Sequence, residues 1–372
     1  MFRIIFLFCC FVVVSIRIHA QHVFFGERTL GDSSSVYFDC QGSAYPEYFI
    51  SDTSMVNSYG SLSTWYLRHN EDFIRICASY DYFPESIDQS TINRLSDSII
   101  SHWARSINRQ SQDAPALALY VHGFRKRFAE NGQDVTSVTE FGLFRDHLKT
   151  YGKPEAFAVN VYWDGTYDCC FSMNHKRNKE LFELYETAVS QALAVAIGFR
   201  KLINQTNHPR IQLVGHSLGS QVIASSLFDP AGTANLIPTP NNPGREFHIS
   251  LIAPAIDAAT FHDYYNRTYP VTLTDSYALQ ILYNEDDFAL RKKDPKFGIF
   301  GPGANRYGKT GLGCNHRHEL DKLKKYFAAY FSQSTFETVD KTELGKCHSW
   351  RCYTKEQHLK ELADFLWRGW EE

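Results

Sequence analysis

The 372-residue chain has little charge of either sign to spare: 38 Lys and Arg face 41 Asp and Glu, a formal net charge of -3. A protein that tracks nucleic-acid phosphates carries a clustered basic surplus, so the balance argues against that class. Glycine and proline are scarce, at 22 and 13, too few for a collagen-like or linker protein. No fixed-period repeat and no low-complexity tract occurs, and beyond residue 20 no stretch is apolar enough to span a bilayer. Nine cysteines in a chain this long cannot be the basis of its core. What is present is a 44% hydrophobic and 15% aromatic composition. That is enough to bury a sizeable core, in one large α/β domain or two ordinary ones.

The first twenty residues read as processing rather than fold. Arg3 precedes an unbroken apolar run from Ile4 to Val14, and Ser15 to Ala20 ends on a small residue before Gln21. That order predicts a secretory signal peptide cut after Ala20, hence a secreted or periplasmic, cell-envelope protein. Removing Arg3 and Arg17 leaves 36 basic against 41 acidic residues, a net of -5. Removing Cys9 and Cys10 leaves Cys40, Cys77, Cys169, Cys170, Cys314, Cys347 and Cys352. Seven is odd, so at least one thiol stays outside any intrachain disulfide. Cys347 with Cys352 is the plausible local pair in an oxidising compartment. The sequons at Asn204 and Asn266 matter only in a eukaryotic host.

Two regimes follow the leader. Residues 21–110 predict a β-rich extension with one helix, packed on the main domain. Its strands are expected at 35–38, 63–67 and 73–77, with a polar turn at 68–72. Apolar residues at Ile92, Leu95, Ile99, Ile100, Trp103 and Ile107 keep helical spacing over 85–108. From 111 to 372 strands and helices alternate. Strands are expected at 116–121, 157–163, 210–214, 247–252, 279–283 and 336–339, and helices at 180–204, 220–228 and 357–367. Near-continuously apolar strands separated by helices predict a three-layer αβα sandwich around a mainly parallel, doubly wound sheet. Ligands of such sheets bind at the carboxyl ends of the strands.

Gly215-His216-Ser217-Leu218-Gly219 is G-x-S-x-G, and a strand precedes it while a helix-compatible segment follows. A serine on a sharp strand-to-helix turn is in strained backbone geometry, and glycines at 215 and 219 relieve the crowding around it. A nucleophilic serine also needs donors for an oxyanion. The Leu218 N–H lies at the helix N-terminus, and the Phe124 N–H follows His122-Gly123 at the end of an earlier strand. His122 is expected to support that loop rather than act as a base.

The order of strand with HGF, strand with GHSLG and helix, strand with acid, and late histidine resembles the α/β-hydrolase superfamily, especially its lipase- and esterase-like bacterial members of undefined substrate. Val161-Tyr162-Trp163-Asp164-Gly165, Leu251-Ile252-Ala253-Pro254, Asp287-Phe288-Ala289-Leu290 and Cys347-His348-Ser349-Trp350 add to the resemblance, which covers about residues 115 to 370. It implies that the acid and the histidine follow the serine. Asp287 is the first choice for the acid, Asp286 and Asp257 being the alternatives. For the histidine, His348 between the last strand and the last helix comes first. His316, His318 and His358 are the alternatives, His358 reading as an exposed helix position. A Cys347–Cys352 bridge would brace the loop that carries His348.

The resemblance implies an exported serine hydrolase that cleaves carboxylic esters, lipid or small, through an acyl-enzyme. It needs no cofactor and no metal. The expected partner is an ester or lipid-like substrate, with which a peripheral contact to a membrane surface is compatible; nucleic acid is not expected. Phe124, Phe171 and Phe261 are candidates for an apolar pocket. The rival from another class is a non-catalytic envelope or recognition protein on the same scaffold. Gly303 to Thr310 matches the phosphate-binding G-x-x-x-x-G-K-[ST] letter for letter. It lacks the buried strand before it, and Gly311 and Gly313 break the helix that would bind phosphate. Cys314, His316 and His318 have no second cluster at metal-ligand spacing, and Cys169-Cys170 has no metal or redox spacing.

Overall fold

A computed structural model of the chain describes residues 34–46, 61–124, 137–151, 154–165, 175–228, 244–256, 276–290, 311–315, 318–330 and 334–370. Seven strands form one sheet: β1 (Ser34–Phe38), β2 (Leu117–Val121), β3 (Phe157–Trp163), β4 (Arg210–His216), β5 (Glu246–Ile252), β6 (Ser276–Tyr283) and β7 (Thr335–Asp340). Their order is β1-β3-β2-β4-β5-β6-β7, and every neighbouring pair is parallel. The chain leaves β2 towards β3 on one side, while β4 leads to β5 on the other. The adjacent carboxyl ends of β2 and β4 therefore form the topological switch point, the place where sheets of this kind bind their ligands.

Helices cover both faces. On one side α3 (Gln89–Gln110) packs on α5 (His175–Gln205), and α5 on α6 (Gly219–Phe228). There α7 (Glu319–Tyr330) joins them through Phe327, edge-on to Phe228. On the other side lie α4 (Ser137–Thr150), against β3, and α9 (Glu356–Trp367), against β5. Because side chains alternate along a strand, the two faces differ in chemistry. Val121, Val161, Leu213, Ile249, Leu251, Leu279 and Ile281 make one face almost wholly apolar. The other holds polar residues that must find partners once buried. Tyr120 donates to Glu140 of α4 (3.0 Å), and the Gln212 amide donates to the Leu366 carbonyl of α9 (2.9 Å).

Residues 63–67 and 73–77 are not strands. They lie in α1 (Leu62–Tyr66) and α2 (Asn70–Ser79). Aromatic and β-branched composition favoured a strand there, but the apolar spacing is helical. Leu62, Trp65 and Tyr66 are buried, as are Phe73, Ile76 and Cys77, whereas Ile74 and Arg75 face outward. Ser61 caps α1, its Oγ accepting the Thr64 N–H (3.3 Å). The polar stretch read as a hairpin turn supplies the acidic first turn of α2, Glu71 and Asp72. The described part of residues 21–110 is thus mostly helical, and its strand, β1, is hydrogen-bonded to β3 as an edge of the main sheet.

The expected helix over 85–108 is α3. A capping box starts it: Asp88 Oδ1 accepts the Thr91 N–H (2.9 Å) and Thr91 Oγ1 accepts the Asp88 N–H (3.0 Å). Ile92, Leu95, Ile99, Ile100, Trp103 and Ile107 are all buried. Asp39, at the end of β1, ties this region together. Its carboxylate accepts the N–H groups of Gln41 (2.9 Å), Ser43 (2.8 Å) and Leu62 (2.9 Å), the last joining α1 to the sheet. Burial pushes the Asp39 carboxyl up to about 6, against those three bonds, which lower it. Tyr45 donates its hydroxyl to the neighbouring buried Asp164.

The remaining strands fall where the sequence places them, within a few residues. Helix α5 is longer than read, and α4, α7 and α8 (Trp350–Tyr353) are additional. Among the described residues no helix is long and apolar enough to cross a membrane. Residues 1–33 lie outside the described residues, as do Cys169, Cys170, Phe171, Asp257, Phe261, Asn266, the 303–310 motif and His316.

Candidate active site

Ser217 sits between β4 and α6 with φ at +52°, a left-handed conformation that costs a non-glycine residue of order 1 kcal/mol. The surroundings impose it. The Ser217 N–H donates to the Ile252 carbonyl at the end of β5 (2.9 Å), and the Ser217 carbonyl accepts the N–H groups of Ala255 (3.1 Å) and Ser220 (3.2 Å). The glycines on either side serve for reasons that differ from simple crowding against the serine. A Cβ on Gly219 would lie 2.3 Å from the Val121 carbonyl oxygen and 2.5 Å from that of His122. Helix α6 therefore starts in direct contact with the end of β2. A Cβ on Gly215 would meet the Ile223 side chain at 2.8 Å.

Three side chains from three connections meet here. His348 follows β7, and its Nε2 lies 2.8 Å from Ser217 Oγ. Its Nδ1 lies 2.7 Å from Oδ2 of Asp287, which follows β6. A carboxylate only accepts, so Nδ1 carries the proton, and Nε2 presents its lone pair to the serine hydroxyl. Asp287 is completely buried, and its second oxygen, Oδ1, accepts the N–H groups of Ala289 (2.9 Å) and Leu290 (3.2 Å). Both oxygens are therefore held, and the carboxylate cannot turn away from the imidazole. Burial, and next the Asp287 charge, hold the nearby Tyr353 hydroxyl well above the usual tyrosine range.

The other candidates lie elsewhere. Asp286 precedes Asp287 in the same turn, where its N–H donates to Asn284 Oδ1 (2.9 Å). His318 is exposed beside Asp321. His358 is buried rather than exposed, because the first turn of α9 packs on the Lys341–Glu343 segment. Burial, followed by the Lys341 charge, holds its pKa below the ordinary histidine value. Cys347 and Cys352 form a disulfide around His348, while Cys40, Cys77 and Cys314 are thiols.

The loop after β2 is organised by His122, which is fully buried. Its Nε2 accepts the backbone N–H of Trp163 (3.1 Å), and the Trp163 indole N–H donates to the His122 carbonyl (2.9 Å). With Nε2 accepting, the proton is on Nδ1, which donates to the Gly123 carbonyl (2.7 Å). No peptide is cis among the described residues, so fixing the Gly123 carbonyl towards His122 turns the Phe124 N–H the opposite way. Gly123 itself is pressed on the elbow: a Cβ there would sit 3.0 Å from Ser217 Cβ. Phe124 is half-buried against the core. Leu218, whose N–H directly follows the serine, is fully buried.

Two residues beside the motifs escaped the sequence reading. His216 Nε2 donates to the His348 carbonyl (2.9 Å). The Asn284 amide donates to the carbonyls of Gly345 (2.7 Å) and Cys347 (3.1 Å). His216 occupies the variable place in G-x-S-x-G, and Asn284 opens the turn with Asp287. Their partners are backbone atoms far along the chain, which no local pattern signals. Among the described residues no group of three or more His, Cys, Asp or Glu side chains is placed to hold a metal ion.

A parallel sheet, a left-handed serine at a strand-to-helix elbow beside its switch point, an acid after β6 and a histidine after β7 define the α/β-hydrolase fold, with Ser, Asp and His in its chain order. The chain therefore has the α/β-hydrolase fold. No family model matches the sequence, and no curated protein matches it either. Among solved structures it is similar to esterase B from Lactobacillus rhamnosis, with 11% identity, coverage of 67% of this chain and 76% of that one, and a TM-score of 0.34. It is also similar to an α/β serine hydrolase from Xanthomonas campestris, with 15% identity, 69% and 83% coverage and a TM-score of 0.29. A lipase-esterase related protein from Clostridium acetobutylicum is a further neighbour, with 8% identity, 68% and 93% coverage and a TM-score of 0.29.

Proposed function

We propose that the protein is a serine hydrolase that cleaves carboxylic ester bonds through an acyl-enzyme, with Ser217, His348 and Asp287 as its catalytic triad. The observation that carries this reading is the continuous relay from Ser217 Oγ to His348 Nε2 (2.8 Å) and from His348 Nδ1 to Asp287 (2.7 Å). His348 takes the hydroxyl proton as Ser217 Oγ attacks the ester carbonyl. It gives that proton to the departing alcohol as the tetrahedral intermediate collapses. Water, deprotonated by the same imidazole, then releases the acid. The Leu218 and Phe124 N–H groups stabilise the oxyanion, each donor being worth about 2.7–4 kcal/mol of barrier. The substrate is a lipid or small ester, taken up at the carboxyl ends of β2 and β4. We further propose that the protein acts outside the cytoplasm, where a disulfide such as Cys347–Cys352 persists.

A fluorophosphonate probe tests the central claim. The expected result is covalent labelling of the folded protein that Ser217→Ala abolishes, together with turnover of p-nitrophenyl esters. Absence of both from folded protein would leave a recognition protein on a hydrolase scaffold. Comparing short with long acyl chains separates a small-ester esterase from a lipase. Amino-terminal sequencing of the exported form checks the cut after Ala20.

A further inference from the structure

We infer that His216 and Asn284 are positioning residues that register His348 against its two catalytic partners; the inference rests on the acyl-transfer reading above. The imidazole of His348 must sit within hydrogen-bond reach of two groups carried by different strands. The Cys347–Cys352 disulfide and internal bonds such as Cys347 N–H to the Gly345 carbonyl (2.7 Å) shape its own loop. They do not register that loop against the other strands, and β7 is a half-exposed edge strand. The segment from Lys341 to Ser349 must therefore be fixed by other parts of the molecule.

Two side chains fix it through its backbone. A carbonyl only accepts, so His216 carries its proton on Nε2 and donates it to the carbonyl of His348 itself (2.9 Å). The His216 ring is buried, edge-on to Trp350 at 5.9 Å between centroids and 5.4 Å from the His348 ring. Asn284, fully buried, gives both amide protons to the loop, one to Gly345 (2.7 Å) and one to Cys347 (3.1 Å). Its placement links each clamp to a member of the triad. His216 is bonded to Ser217 in the chain, and the Asn284 carbonyl accepts the Asp287 N–H (3.1 Å). The elements carrying nucleophile and acid thus each hold the backbone that carries the base. A displacement of the elbow or of the acid turn carries the His348 loop with it, so the relay distances are preserved.

The test replaces His216 by Phe, which keeps a flat ring against Trp350 but removes the donor, and by Gln, which restores a donor. Wild type and variants are compared by kcat and KM on a short p-nitrophenyl ester, by the downfield proton resonance of His348 Nδ1–H, and by thermal unfolding. His216→Phe is expected to lower kcat by about 10- to 100-fold, with KM within about twofold of wild type. The Nδ1–H resonance should weaken, and His216→Gln should recover most of both. In a His348→Ala background His216→Phe should have no further effect on the residual rate. Unchanged kcat and resonance in His216→Phe, or a loss that persists without His348, overturns the inference. Should His216→Phe not fold, Asn284→Ala is read in the same way. If the wild type hydrolyses nothing, the acyl-transfer reading fails separately. The resonance then decides: its loss in His216→Phe upholds the positioning role, and its persistence overturns it.

Discussion

Replacing Asp287 by Asn tests the electrostatics of the site with almost no change of shape. Asp287 Oδ1 accepts two backbone N–H groups, from Ala289 and Leu290, and Oδ2 accepts the His348 Nδ1–H. An asparagine can satisfy the two backbone donors only by keeping its carbonyl oxygen on their side. Its NH2 group then faces His348 Nδ1, donor against donor. The imidazole resolves the conflict by moving its proton to Nε2, where it faces Ser217 Oγ and can no longer accept from it. The expected loss in kcat is about 10⁴-fold, about 5 kcal/mol of barrier, as follows from holding a triad histidine in the wrong tautomer. KM should change little, because the carboxylate is buried beneath the histidine. Stability should fall by no more than about 1–2 kcal/mol, since the two backbone bonds survive. Steady-state hydrolysis of a short p-nitrophenyl ester reads the first effect, and denaturant unfolding the second. Asp286→Asn, half-buried in the same turn, is the control and should stay within about threefold of wild type, since His348 Nδ1 meets Asp287. A fully folded Asp287→Asn protein with kcat within tenfold of wild type would refute the tautomer argument.

Two further predictions follow from the packing. Gly219→Ala places a methyl 2.3 Å from the Val121 carbonyl oxygen and 2.5 Å from that of His122. Neither backbone can yield easily, so denaturant unfolding should show a loss of about 1–3 kcal/mol or more and Ser217 labelling should slow. Asp39 has its carboxyl raised by burial from 3.8 to about 6. The folded chain therefore binds a proton that the unfolded chain has already released between those values. Its contribution is full below about pH 4 and lost as the pH rises through about 6, by roughly 3 kcal/mol in all. Equilibrium unfolding from pH 4 to 7 reads this slope, and a slope unchanged in Asp39→Asn would show that another group is responsible.

The central part of the fold was readable because its physics is local. Leu117–Val121 is a wholly apolar run, and Arg210–Val214 and Phe247–Ile252 keep one apolar face, Ile211 and Leu213 in the first and Phe247, Ile249 and Leu251 in the second. Helix α3 announces itself through six apolar residues on one stripe. Residues 62–79 misled because Trp65, Tyr66, Phe73, Ile74 and Ile76 suit either structure by composition, and only burial on one helical side separates the two. His358 read as exposed because the three residues before it, Lys355, Glu356 and Gln357, are polar. Its ring is buried, 3.9 Å from Glu343 on the segment that arrives from β7.

Sequence alone singled out the candidate serine, through the strand before it, the helix after it and the glycines between. It also placed the candidate acid and base after that serine, and Phe124 and Leu218 beside it. Whether Asp286 or Asp287 faces the histidine depends on the direction of a side chain within one turn, which is fixed by the N–H groups of Ala289 and Leu290. The tautomer of His122 is decided by Trp163 on the neighbouring strand. The clamps from Asn284 and His216 join residues more than sixty and more than one hundred positions apart, respectively. Such choices belong to tertiary structure because hydrogen bonds are directional and short. A sequence records which donors and acceptors exist, and only the packed sheet brings a particular pair within 3 Å.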